Sequence, residues 1–136
     1  MLNKFKLLGI VALLATALFM TSCSKENMLE GAWNCTSLTV DGETQSGGQW
    51  IFSDGGSFTM NMGESLSGNW SLSGDNLTIN VSQSSNGWSE SITMNLTVTE
   101  LKSKSLKVNG TCNSRYTESG YGSGSYSYSL NGSFTK

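Results

Sequence analysis

From Gly31 to Thr135 the chain is a succession of short stretches in which apolar residues recur at every second position, separated by Gly, Ser, Asn and Asp. There is no proline, and no apolar stripe runs at helical spacing. The clearest stretch is "SITMNLTVTE", where Ile92, Met94, Leu96 and Val98 alternate with Thr93, Asn95, Thr97 and Thr99. A period of two places one set on each face of an extended strand, so such a strand buries one side and wets the other.

Eight stretches read this way: 31–40, 48–54, 57–63, 66–74, 76–82, 91–100, 105–112 and 125–135. The turn-rich connections "SDGGS", "SGDN" and "SQSSNG" supply the positive backbone φ of tight reversals and make consecutive strands antiparallel neighbours. Trp50 and Trp70 each open a similar run, "WIFSDGGSFTMN" and "WSLSGDNLTIN", as successive hairpins of one sheet would. The first half of "ESGYGSGSYSY", from Glu118, is expected to be a mobile loop. Eight antiparallel strands with one buried face close into an up-and-down barrel or stack as a two-sheet sandwich. The expected fold is all-β and antiparallel, an eight-stranded up-and-down barrel or a two-sheet sandwich, and alternation alone leaves both open.

The first residues differ in kind. Lys4 and Lys6 precede an apolar run from Leu7 to Met20, broken only by Gly9 and Thr16, and small residues lead to Cys23. The run is shorter than the about 20 residues a membrane-spanning helix needs and has the order of a secretory signal. Met20-Thr21-Ser22-Cys23 resembles the bacterial lipobox. That resemblance implies removal of a signal peptide over 1–22, lipidation of Cys23, a lipidated tether over 23–30 and a barrel domain over 31–136. Two or more acyl chains make a stable anchor, and Ser24 after the cysteine, by resemblance to the lipoproteins of diderm bacteria, implies the outer membrane, on its periplasmic or its surface face.

Loss of Lys4 and Lys6 leaves six basic residues against ten acidic ones, a formal balance of −4. Scattered lysines on a mildly acidic chain make no phosphate-tracking patch, which argues against a nucleic-acid partner. With Cys23 lipidated, Cys35 and Cys112 form an even remainder in an oxidising compartment, and both follow the inward phase of their strands. A disulfide between them is therefore expected. It would close a loop of roughly 78 residues and stabilise by about 4 kcal/mol on the chain-entropy estimate.

The chain has no histidine, so Ser-His-Asp and Cys-His catalysis is impossible and the usual imidazole metal ligands are missing. Asp41, Glu43, Glu64, Asp75, Glu90 and Glu118 fall in or beside expected turns and read as solvated acids. No catalytic residue, metal site or cofactor is expected. Trp33, Trp50 and Trp70 follow strand phase as core, and Met60, Met62 and Met94 share the inner phase. Trp88, Tyr116 and Tyr121 fall in expected loops, and Tyr126 and Tyr128 on the last strand; these five are the candidate binding residues. No expected inward position is charged, so the expected ligand is small and apolar or neutral, with tyrosine hydroxyls as handles.

Gly31-Ala32-Trp33, at the start of the first strand, matches the GxW signature of lipocalins. Together with "WIFSDGGSFTM" and "SGNWSLSGDNLTI", the chain resembles the lipocalin-like lipoproteins of the Bacteroidota. The resemblance implies a barrel closed by pairing of its first and last strands, with Trp33 plugging the closed end beneath an arginine. Arg115 is the single arginine and therefore the residue expected to cover Trp33. The function implied is a non-enzymatic binding or envelope-accessory module. The alternative is a protein-protein module, an inhibitor or envelope-complex subunit, acting through its rim loops.

Overall fold

A computed structural model describes residues 25–136. The expected signal peptide and Cys23 lie outside the described residues. The chain forms nine strands: β1 (Gly31–Val40), β2 (Glu43–Gln45), β3 (Gln49–Phe52), β4 (Ser57–Asn61), β5 (Ser65–Ser73), β6 (Asn76–Ser85), β7 (Trp88–Lys102), β8 (Ser105–Glu118) and β9 (Gly122–Thr135). All neighbours are antiparallel, in the order β2-β1-β3-β4-β5-β6-β7-β8-β9, and β1 also pairs with β9. That last pairing closes the barrel and excludes the sandwich.

The ninth strand is half of another. The first residues of β1 pair with β3 (Trp33 opposite Trp50), and its last pair with β2 (Val40 opposite Glu43). Thus β2 and β3 are one staggered strand interrupted at residues 46–48, and eight strands surround the axis. The interruption is held by Cys35 N–H donating to the Gly48 carbonyl at 2.9 Å and Trp50 Nε1 donating to the Gly47 carbonyl at 3.2 Å.

Alternation sets the core as expected. On β6, Leu77, Ile79 and Val81 are buried and Asn76, Asn80 and Ser82 are exposed. Trp33, Trp50 and Trp70 are all buried. Trp50 meets Phe58 edge-on at 5.8 Å and Phe134 at 4.7 Å, and Phe52 meets Phe58 at 5.1 Å and Trp70 at 5.5 Å. Edge and tilted contacts of this kind suit the ring quadrupoles and add to area burial. These rings fill the end of the barrel where β1 begins.

That end is closed by a helical turn over 25–29. Leu29 is fully buried in the core, so packing of the domain begins before Gly31. Trp33 Nε1 donates to the Leu29 carbonyl at 2.7 Å, and an exposed Lys25–Asp75 ion pair of 2.9 Å links the turn to the β5–β6 connection. No helix among the described residues is long and apolar enough to cross a membrane.

Candidate functional site

The strands differ in length: β3 and β4 have four and five residues, β7, β8 and β9 have 15, 14 and 14. The long strands continue past the filled core at the end opposite the helical turn. There Met94 lies opposite Cys112, Ile92 opposite Ser114 and Glu90 opposite Tyr116. Cys112 in turn faces Tyr128 and Ser114 faces Tyr126. These residues share the phase of buried Met94, Val108 and Leu130, so they extend the inner wall into an open mouth.

Tyr116, Tyr126 and Tyr128 form a ladder on this wall. Tyr116 and Tyr126 lie 12° from parallel with centroids 5.8 Å apart, and Tyr126 and Tyr128 lie 25° from parallel at 6.2 Å. Gly124 makes room for it, since a Cβ there would come within 2.6 Å of the Tyr116 ring. Hydrogen bonding to Tyr126 pushes the Tyr116 phenol above its ordinary range, with the neighbouring Tyr126 and Glu118 charges adding to it.

Beside the ladder, Glu90 is half-buried and held from both sides. Ser114 Oγ donates to Glu90 Oε1 at 2.6 Å, and Gln83 Nε2 donates to Glu90 Oε2 at 3.0 Å. The network spans β6, β7 and β8.

Several expectations are corrected here. Trp88 and Tyr116 are strand residues at the ends of β7 and β8, not loop residues; Tyr121 alone sits in the connection, 86% exposed. The expected loop from Glu118 shrinks to residues 119–121, because β9 already begins at Gly122 opposite Glu118. Glu90 and Glu118 are on strands and on the inner phase, so the mouth is charged where it was expected to be neutral. The signal was present: two more steps of alternation back from Ile92 reach Glu90 and Trp88. Met62 lies beyond β4 and is 42% exposed.

Arg115 does not cover Trp33. It sits between Ser91 and Ser125 on the outer face of the opposite end, where it lines a surface depression with Asn113 and Ser127. The cation over Trp33 is Lys136, whose Nζ lies 4.7 Å from the ring centroid and donates to the carbonyls of Met28 and Glu30. Nothing local marks Lys136 for this role, because barrel closure alone brings it to Gly31.

Cys35 and Cys112 are free thiols, not a disulfide. Register gives the reason: Cys35 faces Phe134 and Phe134 faces Leu106. Cys112 is then six residues further along β8, roughly 20 Å at the rise of a strand, far beyond the about 4.4–6.8 Å between Cα atoms that a disulfide spans. The Cys35 thiol instead fills the space over Gly47, where a Cβ would come within 2.1 Å of its Sγ. Burial pushes both thiols above their ordinary range. A backbone hydrogen bond at Ser37 partly offsets this for Cys35, and the Glu90 charge adds to it for Cys112.

Among the described residues no three His, Cys, Asp or Glu side chains converge as a metal would need. The model of the lipocalin-like domain matches residues 29–108. This chain belongs to the lipocalin-like domain family. The match begins at Leu29, the residue that plugs the closed end, and covers β1 to the first residues of β8. Comparison with curated proteins and with solved structures gave no match. The lipocalin-like barrel is typically a binding and not a catalytic fold.

Proposed function

We propose that this lipocalin-like barrel is a lipid-anchored, non-enzymatic binding module of the cell envelope, taking a small ligand at its open mouth. The observation that carries the reading is the inward-facing ladder of Tyr116, Tyr126 and Tyr128 above a core filled by its own side chains. Aromatic walls with a few placed polar groups are the usual composition of small-molecule sites. Cys23 precedes the closing helical turn by two residues, so an anchor there would hold the closed end against an outer membrane and turn the mouth away from it. Calorimetric titration with a panel of small apolar and polar compounds, repeated with Tyr126→Ala, tests the site; silence across the panel would sink it. For the anchor, Cys23→Ala should abolish palmitate labelling, and persistent label would refute it.

A second reading has its own support. Among the described residues Met62, Tyr121 and Tyr126 are the exposed large apolar residues, and all three lie at the open end, Met62 and Tyr121 in connections and Tyr126 on β9. Exposed aromatics on a rim suit a protein partner, and pull-down with Tyr121→Ala should lose a partner that the unaltered chain retains.

A further inference from the structure

The ends of the barrel differ in charge as well as in packing. All lysines of the described residues, Lys25, Lys102, Lys104, Lys107 and Lys136, lie at or near the closed end. Five acids, Asp41, Glu43, Glu64, Glu90 and Glu118, lie at the open end with Arg115 as the one base, and that base is on the outer face. The other five acids balance the lysines, so the formal −4 of residues 25–136 belongs to the open end. A concave wall with one sign of charge and low-dielectric sides focuses its field and concentrates the opposite charge.

Within the mouth, Glu90 takes neutral donors, Ser114 and Gln83, and makes no ion pair among the described residues. An apolar ligand seated on the tyrosine ladder would strip water from this carboxylate without replacing it by a countercharge, which is unfavourable. A cation would compensate the carboxylate and also meet aromatic faces, whose quadrupole attracts it. The near-parallel rings, with centroids 5.8 and 6.2 Å apart, do not lie face to face at van der Waals distance, which leaves part of each face uncovered. A bare metal ion lacks the converging donors it needs here.

We infer that the mouth binds a small organic cation, a quaternary ammonium or protonated amine, against Tyr116, Tyr126 and Tyr128 with Glu90 as its countercharge. The inference rests on the binding-module reading and names its ligand class. The discriminating pair is choline and its neutral isostere 3,3-dimethylbutan-1-ol, titrated calorimetrically into the full chain in detergent micelles. Choline should bind at least about tenfold more tightly than the isostere and lose affinity as salt is raised. Glu90→Gln keeps a hydrogen-bonding side chain and removes the charge, and should weaken choline about tenfold while leaving the isostere unchanged. Tyr126→Ala, at a position 53% exposed, should weaken choline similarly, with the urea-unfolding midpoint measured alongside to show that the barrel is intact. Equal binding of choline and isostere, or no effect of Glu90→Gln, overturns the inference. If apolar compounds bind in a Tyr126-dependent way and cations do not, the inference fails and the binding module stands. If nothing binds, both fail.

Discussion

The two ends of the barrel are built from the same alternating strands and have opposite fates. At the closed end Leu29, Trp33, Phe52, Phe58 and Phe134 are buried to 1% exposure or less, and a helical turn and Lys136 seal them. At the open end the same inward phase carries Tyr116, Tyr126, Tyr128, Glu90 and Trp88, and Tyr126 is 53% exposed. Inward phase therefore does not by itself mean core. What decides is whether the opposite wall is complete at that height, and beyond the short β4 and the interrupted β2–β3 strand it is not. Stability is concentrated in one end, which leaves the other free to vary in chemistry.

The sharpest way to break this comparison is at Trp33. Trp33→Ala removes a fully buried ring and its hydrogen bond to Leu29, and is expected to cost about 3–5 kcal/mol in urea unfolding. Leu29→Ala, which opens the plug, should cost about 2–5 kcal/mol; a near-neutral result would mean that the helical turn only decorates the barrel. Lys136→Met keeps the stem and removes the charge over the indole. It should cost about 1 kcal/mol, with the loss absent in a Trp33→Leu background.

The thiols give a pH signature. Both have folded pKa values raised above the ordinary 9.0, so the folded chain holds protons that the unfolded chain has released. Their contribution to stability is fully present below pH 9 and is lost as pH rises through the folded values. Between pH 8 and 10.5, unfolding free energy should fall less steeply in a Cys35→Ser, Cys112→Ser double variant than in the unaltered chain. Alkylation of the unreduced, denatured chain should modify both residues, whereas a disulfide would protect both. Tyr126→Ala should be the mildest of all, within about 0.5 kcal/mol of the unaltered chain. A larger loss would mean that the ladder holds the mouth together.

The all-β class and the strand-by-strand core were legible in the chain because each rests on a local period, whereas closure into a barrel was implied only by the family resemblance and decided by the pairing of β1 with β9. Leu77, Ile79 and Val81 are apolar at every second position whatever they pair with, and tight turns force their neighbours antiparallel. Of the candidate site, the tyrosines were legible as residues out of place in a Gly- and Ser-rich run. Their joining into one ladder was not, because Tyr116 and Tyr126 meet only through the register of β8 on β9. The helical turn over 25–29 is too short for a period to show.

What the sequence determined, then, is whatever a strand carries within itself: its faces, its turns and the aromatic residues at its ends. Tertiary structure decided the rest. Register separated Cys35 from Cys112. Barrel closure, and no local motif, gave Trp33 its cation from Lys136 and left Arg115 on the outside of the far end. The unequal height of the walls turned Glu90 from an expected turn acid into the charge of an open mouth. These are relations between strands distant in the chain, and an alternating pattern holds no record of which residue of one strand lies opposite which residue of the next.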